Sequence, residues 1–262
     1  MFRTVLATRY VLPFREGGSV PALVEGDDLG LYVVKLRGAG QGPKTLIAEL
    51  VAGELARTLG LLVPELVLVT LDASIAESEP DPELADPLAK SVGENLGLDY
   101  LPGSITFDAL VGPPPTASIA SRVVLFDAFV LNVDRTPKNP NLLSWHAGLW
   151  LIDHGAALYF HHGWQPTSVL DSSRDPFSEV RQHVLLRWAS ELADAARHLT
   201  DTLTDAVCER VVAQIPAGWL ADDRAFGGES ELRAAYLAWL RARRDAIPLL
   251  LEEALGARAS LV

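Results

Sequence analysis

Asp134, Asn139 and Asp153 are the residues of this chain whose types and spacing could move a phosphoryl group. Asp134 and Asn139 stand five positions apart in Asn132-Val133-Asp134-Arg135-Thr136-Pro137-Lys138-Asn139, and Asp153 follows fourteen residues later in Leu151-Ile152-Asp153-His154-Gly155. In phosphoryl transfer a protein performs little covalent chemistry. A carboxylate accepts or orients the proton of the attacking hydroxyl, and oxygen ligands hold the magnesium that bridges the nucleotide phosphates. Asp134 is the candidate for the first task, Asn139 and Asp153 for the second. ATP and Mg²⁺ are the cofactors this pattern calls for.

Those side chains are useful only if the backbone brings them together. Leu142-Leu143-Ser144-Trp145 and Leu149-Trp150-Leu151-Ile152 are apolar runs separated by His146-Ala147-Gly148, which predicts a hairpin with a short glycine-containing turn. A hairpin sets its two ends side by side, so Asn139 before it and Asp153 after it would face one cation. Asp134 and Asn139 alone could equally be ordinary loop residues, because Asp, Asn and Pro cluster in turns for backbone reasons. The hairpin and Asp153 together decide for the metal reading.

Lys35 sits near the end of the apolar run Tyr32-Val33-Val34-Lys35-Leu36, where it either snorkels to water or meets nucleotide phosphates. The glycine-rich break at 38–43 and a predicted helix from Thr45 to about Leu59 follow it. Glu49 falls beside the apolar face of that helix, which makes it the candidate ion-pair partner of Lys35; a solvent-facing Glu is the plainer alternative. Upstream, Gly17, Gly18 and Ser19 form a turn whose glycines could bring backbone N–H groups close to phosphate or simply close a hairpin.

The remaining elements frame these motifs. Residues 8–14, 20–25 and 31–36 read as an antiparallel meander, and 63–71 as a further strand. Residues 72–87, acidic and with three prolines, read as a surface excursion, while 92–106 reads as a crossing between lobes. A helix is predicted from about Ala117 to Leu131. After Asp175 the chain reads as helix at 177–196, 200–215 and 229–257. His161 and His162 lack an acidic partner at ligand spacing, and Trp145, Trp150, Trp164 and Trp188 read as packing residues.

Composition narrows the class. With 262 residues and 49% hydrophobic content the chain can build one large domain or two lobes. Cys208 is the only cysteine, which excludes a disulfide framework and suits a reducing, cytoplasmic setting. No run of 18 apolar residues marks a membrane span. The formal charge of −12 argues against nonspecific binding of nucleic acid but not against a local nucleotide site.

Val33-Val34-Lys35 with the helix containing Glu49, Asn132-Val133-Asp134-Arg135 through Asn139, and Ile152-Asp153-His154-Gly155 together resemble the HipA-like kinase superfamily in its compact form. The resemblance covers most of the chain. It implies a protein-kinase-like two-lobe α+β fold: an antiparallel sheet plus helix in an N-lobe (1–103) and a mainly helical C-lobe (104–262), with Mg-ATP between them. It also implies Asp134 as the catalytic residue, Asn139 and Asp153 as magnesium ligands, and Lys35 as a phosphate contact. Ser19 stands where HipA-like toxins autophosphorylate a loop serine. His154 replaces the Phe of the usual Asp-Phe-Gly, and a second glycine cluster follows Lys35. The expected activity is ATP-dependent transfer to a Ser/Thr hydroxyl of a protein. The pattern is similar as well to type II phosphatidylinositol 4-kinases, which leaves a lipid or small-molecule acceptor open. A nucleotide-binding pseudokinase is the non-enzymatic alternative, and the intact Asp134 speaks against it.

Overall fold

In a computed structural model, residues 2–14, 21–77, 81–221 and 223–261 are described. The protein is mixed α+β and forms two compact units, one of residues 1–50 and 64–102 and one of residues 51–63 and 103–262. The helix after the third strand therefore contributes to both.

In the first unit largely aliphatic strands surround a small core. Five strands, β1 (Thr4–Pro13), β2 (Ala22–Gly26), β3 (Leu31–Lys35), β4 (Leu66–Leu71) and β5 (Gly93–Asp99), form a closed barrel in the order β1-β2-β3-β5-β4. The expected antiparallel meander is present as β1-β2-β3, and the sheet goes further and closes on itself. β1 pairs in parallel with β4 from Thr4 opposite Leu68 to Leu6 opposite Thr70, which removes the free edges an open sheet would present. Val5, Val24, Tyr32, Val34, Val67 and Val69 fill the barrel. β5 occupies the stretch that reads from sequence as a crossing. Gly97 explains the difference: a Cβ there would sit 2.5 Å from Val69 Cγ2, so the glycine admits close packing inside the barrel instead of ending a strand.

The helix α1 (Pro43–Thr58) opens with a proline at its first position, where no N–H is needed. The acidic, proline-containing stretch after β4 holds two short helices, α2 (Ala73–Glu77) and α3 (Pro82–Ala89).

The second unit is built on α4 (Ala117–Val130), which is buried along most of its length. Thr116 caps its start by accepting the Ile119 N–H at 3.3 Å. At its end the last four carbonyls would lack helical partners, yet each is satisfied. Asn132 N–H donates to the Asp127 carbonyl and Leu158 N–H to that of Val130, while the Arg243 guanidinium donates to Ala128 and Phe129. The point where the chain leaves α4 is thereby fixed.

A three-stranded sheet follows, β6 (Ile105–Thr106), β7 (Leu142–Trp145) and β8 (Gly148–Leu151), in that order. The β7–β8 hairpin turns on His146 and Ala147 alone, both at positive φ of 46° and 59°, as a two-residue mirror-type turn requires. Gly148 belongs to the strand, where a side chain would meet Leu62 Cδ1 at 2.6 Å. Beyond it, five 3₁₀ turns between Tyr159 and Trp188 replace the helix expected from 177. Then come α5 (Leu192–Thr202), α6 (Asp205–Ala213), α7 (Ala217–Leu220), α8 (Glu229–Asp245) and α9 (Ile247–Ala259). No helix among the described residues is long and apolar enough to cross a membrane.

Candidate active site

In the barrel unit, Lys35 ends β3 and Glu49 lies one and a half turns into α1. Lys35 Nζ is 2.7 Å from Glu49 Oε2, and the two side chains are 7% and 0% exposed. The pair expected from sequence is formed, and a solvent-facing Glu49 is excluded. The loop joining them is pinned from outside: Gly38 N–H donates to Ser91 Oγ at 2.8 Å, and Gly40 and Gly42 take positive φ. Gly17, Gly18 and Ser19 lie outside the described residues.

In the helical unit the loop leaving α4 folds on itself through its own polar side chains. Asn132 Oδ1 accepts the Asp134 N–H at 3.3 Å, and Thr136 and Asn139 exchange main-chain bonds at 3.0 and 3.2 Å. This small turn aims Asn139 back at Asp134, with Nδ2 donating to Asp134 Oδ2 at 2.7 Å. Asn141 Nδ2 donates to the same oxygen at 3.2 Å. With its N–H₂ turned to Asp134, the Asn139 amide oxygen is the end left for a cation.

The hairpin does the joining it was expected to do for the backbone. Leu142 pairs with Leu151, and Ile152 N–H donates to the Asn141 carbonyl at 3.1 Å. Asn141 and Asp153, at the two ends, both have left-handed backbone with φ of 48° and 55°. Arg135 holds both ends. Its Nη1 donates to the Asn141 carbonyl and, at 3.4 Å, to that of Ile152.

Beneath this loop lies a charged cluster that the sequence reading missed. Asp127 on α4 is wholly buried. Its Oδ1 accepts Asn132 Nδ2 at 2.9 Å, and its Oδ2 accepts Arg135 Nε at 2.6 Å and His183 Nε2 at 2.9 Å. Burial alone would raise this carboxyl, but the Arg135 guanidinium and the His183 hydrogen bond hold it well below the usual carboxylate range. Its one sequence signal was a lone charge inside the apolar run 123–131. Asn141 and His183 carried no comparable signal, since their partners lie 7 and 56 residues away. His161 is buried against the Tyr236 hydroxyl at 2.9 Å, and among the described residues no group of three or more His, Cys, Asp or Glu could hold a metal ion.

Asn139 and Asp153 offer an amide oxygen and a carboxylate. Hard oxygen donors of this kind fit Mg²⁺, which takes few protein ligands and keeps waters and substrate phosphates for the rest.

Over residues 9–243 the chain matches the model of the HipA-like kinase family, and it belongs to that family. Among solved structures, that of a Helicobacter pylori proinflammatory kinase, CtkA, matches 97% of this chain and 99% of its own with a TM-score of 0.58. Identity is 14%, so what the two share is the fold. No curated protein matches. Family and fold together support a phosphotransferase.

Proposed function

We propose that the protein is an ATP-dependent kinase that transfers a phosphoryl group to a Ser/Thr hydroxyl of a protein. The observation that carries this is the carboxylate of Asp134, gripped on one oxygen by Asn139 and Asn141. Oδ1 is then the oxygen that receives or orients the proton of the acceptor hydroxyl as it attacks. Asn139 and Asp153 would hold Mg²⁺, whose positive charge would offset the negative charge developing on the transferred phosphoryl group. Lys35, oriented by Glu49, contacts the nucleotide phosphates.

Because Asp134 serves the acceptor, Asp134→Asn should leave Mg-ATP affinity within a few-fold of wild type. Turnover of γ-labelled ATP should fall by about 10²–10⁴-fold. Calorimetric binding and a label-release assay separate the two effects. Loss of nucleotide binding in this variant would make Asp134 a metal ligand instead, and labelling of lipid but not protein hydroxyls would change the acceptor class.

A further inference from the structure

His183 lies thirty residues beyond Asp153, in the run of 3₁₀ turns, and is 7% exposed. Its Nδ1 accepts the Leu185 N–H at 3.0 Å, which places the ring proton on Nε2, the atom 2.9 Å from Asp127 Oδ2. The next residue, Val184, donates its N–H to the Arg135 carbonyl at 3.2 Å. Arg135 is therefore held twice from this segment, by its main chain directly and by its guanidinium through the shared Asp127 oxygen. Arg135 in turn neighbours Asp134 and holds the carbonyls of Asn141 and Ile152, the residues that present the second amide to Asp134 and lead into Asp153.

We infer that His183 is a positioning residue for phosphotransfer, setting the placement of Asp134 and Asp153 through Asp127 and Arg135. The inference rests on the roles proposed above for those two carboxylates. Two features favour it over simple core filling. Asn141 and Asp153 take left-handed backbone, which Asn and Asp adopt more readily than other non-glycine residues, and Arg135 fixes the chain there by bonding the carbonyls of Asn141 and of Ile152, the residue before Asp153. A buried charged cluster is also a poor way to gain stability, because well-packed apolar residues serve as well or better. Directional bonds that fix a loop are what it offers in exchange.

The test uses the full chain with Mg-ATP and compares wild type with His183→Leu, which fills the space without a donor, and His183→Gln, which restores an N–H donor near the Nε2 position. His183→Leu should keep its thermal midpoint within a few degrees and its Mg-ATP affinity within a few-fold, while kcat falls about 10–100-fold, as a misplacement near 1 Å costs. His183→Gln should recover most of that loss. Wild-type kcat in His183→Leu, or a fall in kcat matched by parallel losses in affinity and thermal midpoint, would overturn the inference and leave His183 a packing residue. A folded wild type with no turnover would instead overturn the reading of the site, and this inference with it.

Discussion

Lys35 and Glu49 form a buried ion pair in the barrel unit. Both charges are removed from water at a separation of 2.7 Å, where mutual attraction roughly offsets desolvation. Glu49→Ala should destabilise the fold by about 3–5 kcal/mol, read as a lowered thermal midpoint, because it strands the Lys35 ammonium. Replacing both, as Lys35→Met with Glu49→Leu, should recover much of that stability and yet bind nucleotide poorly. Glu49→Lys should weaken ATP binding more than Glu54→Lys, whose carboxylate pairs at the surface with Arg57 at 3.3 Å. Equal effects at the two positions would reduce Glu49 to a generic negative charge. Lys35, Glu49, Asp134, Asn139 and Asp153 could be singled out in the sequence as candidates because each stands in a short motif. Asp127, Asn141 and His183 could not, since their meaning lies in partners brought by the fold.

At the scale of elements, the end of α4 and the β7–β8 hairpin decide where the candidate site sits. Arg243 of α8 donates to the carbonyls of Ala128, Phe129, Ser173 and Asp175, and burial pushes its guanidinium down to about 10. Each buried carbonyl left without a donor costs about 1–3 kcal/mol, so Arg243→Met should lower unfolding free energy by at least about 3 kcal/mol in urea titration. Arg243→Lys, which cannot reach four acceptors at once, should recover only part. The long helices α1 and α4 and the hairpin were readable because extended apolar stretches are bounded there by clear turn and break residues. β5 was not, because Gly93 and Gly97 look like breaks, whereas Gly93 supplies the positive φ of 105° at the start of the strand and Gly97 admits Val69 at close range. The 3₁₀ run was mistaken for helix for the opposite reason. Residues 177–188 are helix-compatible in composition, but long-range bonds such as His183 Nε2 to Asp127 Oδ2 at 2.9 Å and Val184 N–H to the Arg135 carbonyl at 3.2 Å pin them into separate turns.

For the molecule as a whole, acid stability reports on the buried cluster. The Asp127 carboxyl is held low in the folded protein and titrates near 3.9 when unfolded. Its contribution is therefore fully present above about pH 4 and is lost as pH falls from there toward the folded value. The half-buried Asp99 carboxyl, raised by burial and by Glu65, opposes this in sign. The urea midpoint should accordingly drop below pH 4, and Asp127→Asn should flatten the part of that slope due to the cluster. An unchanged slope would mean that Asp127 is not the ionised centre of the site. The central claim, that the chain moves the γ-phosphoryl of ATP with Asp153 as a magnesium ligand, is tested most directly by Mg²⁺-dependent turnover of γ-labelled ATP in wild type and Asp153→Ala. Turnover in wild type should saturate with Mg²⁺, and an equally folded variant should show none at any Mg²⁺ concentration. A folded but inactive wild type, or an Asp153→Ala variant as active as wild type, would contradict that claim.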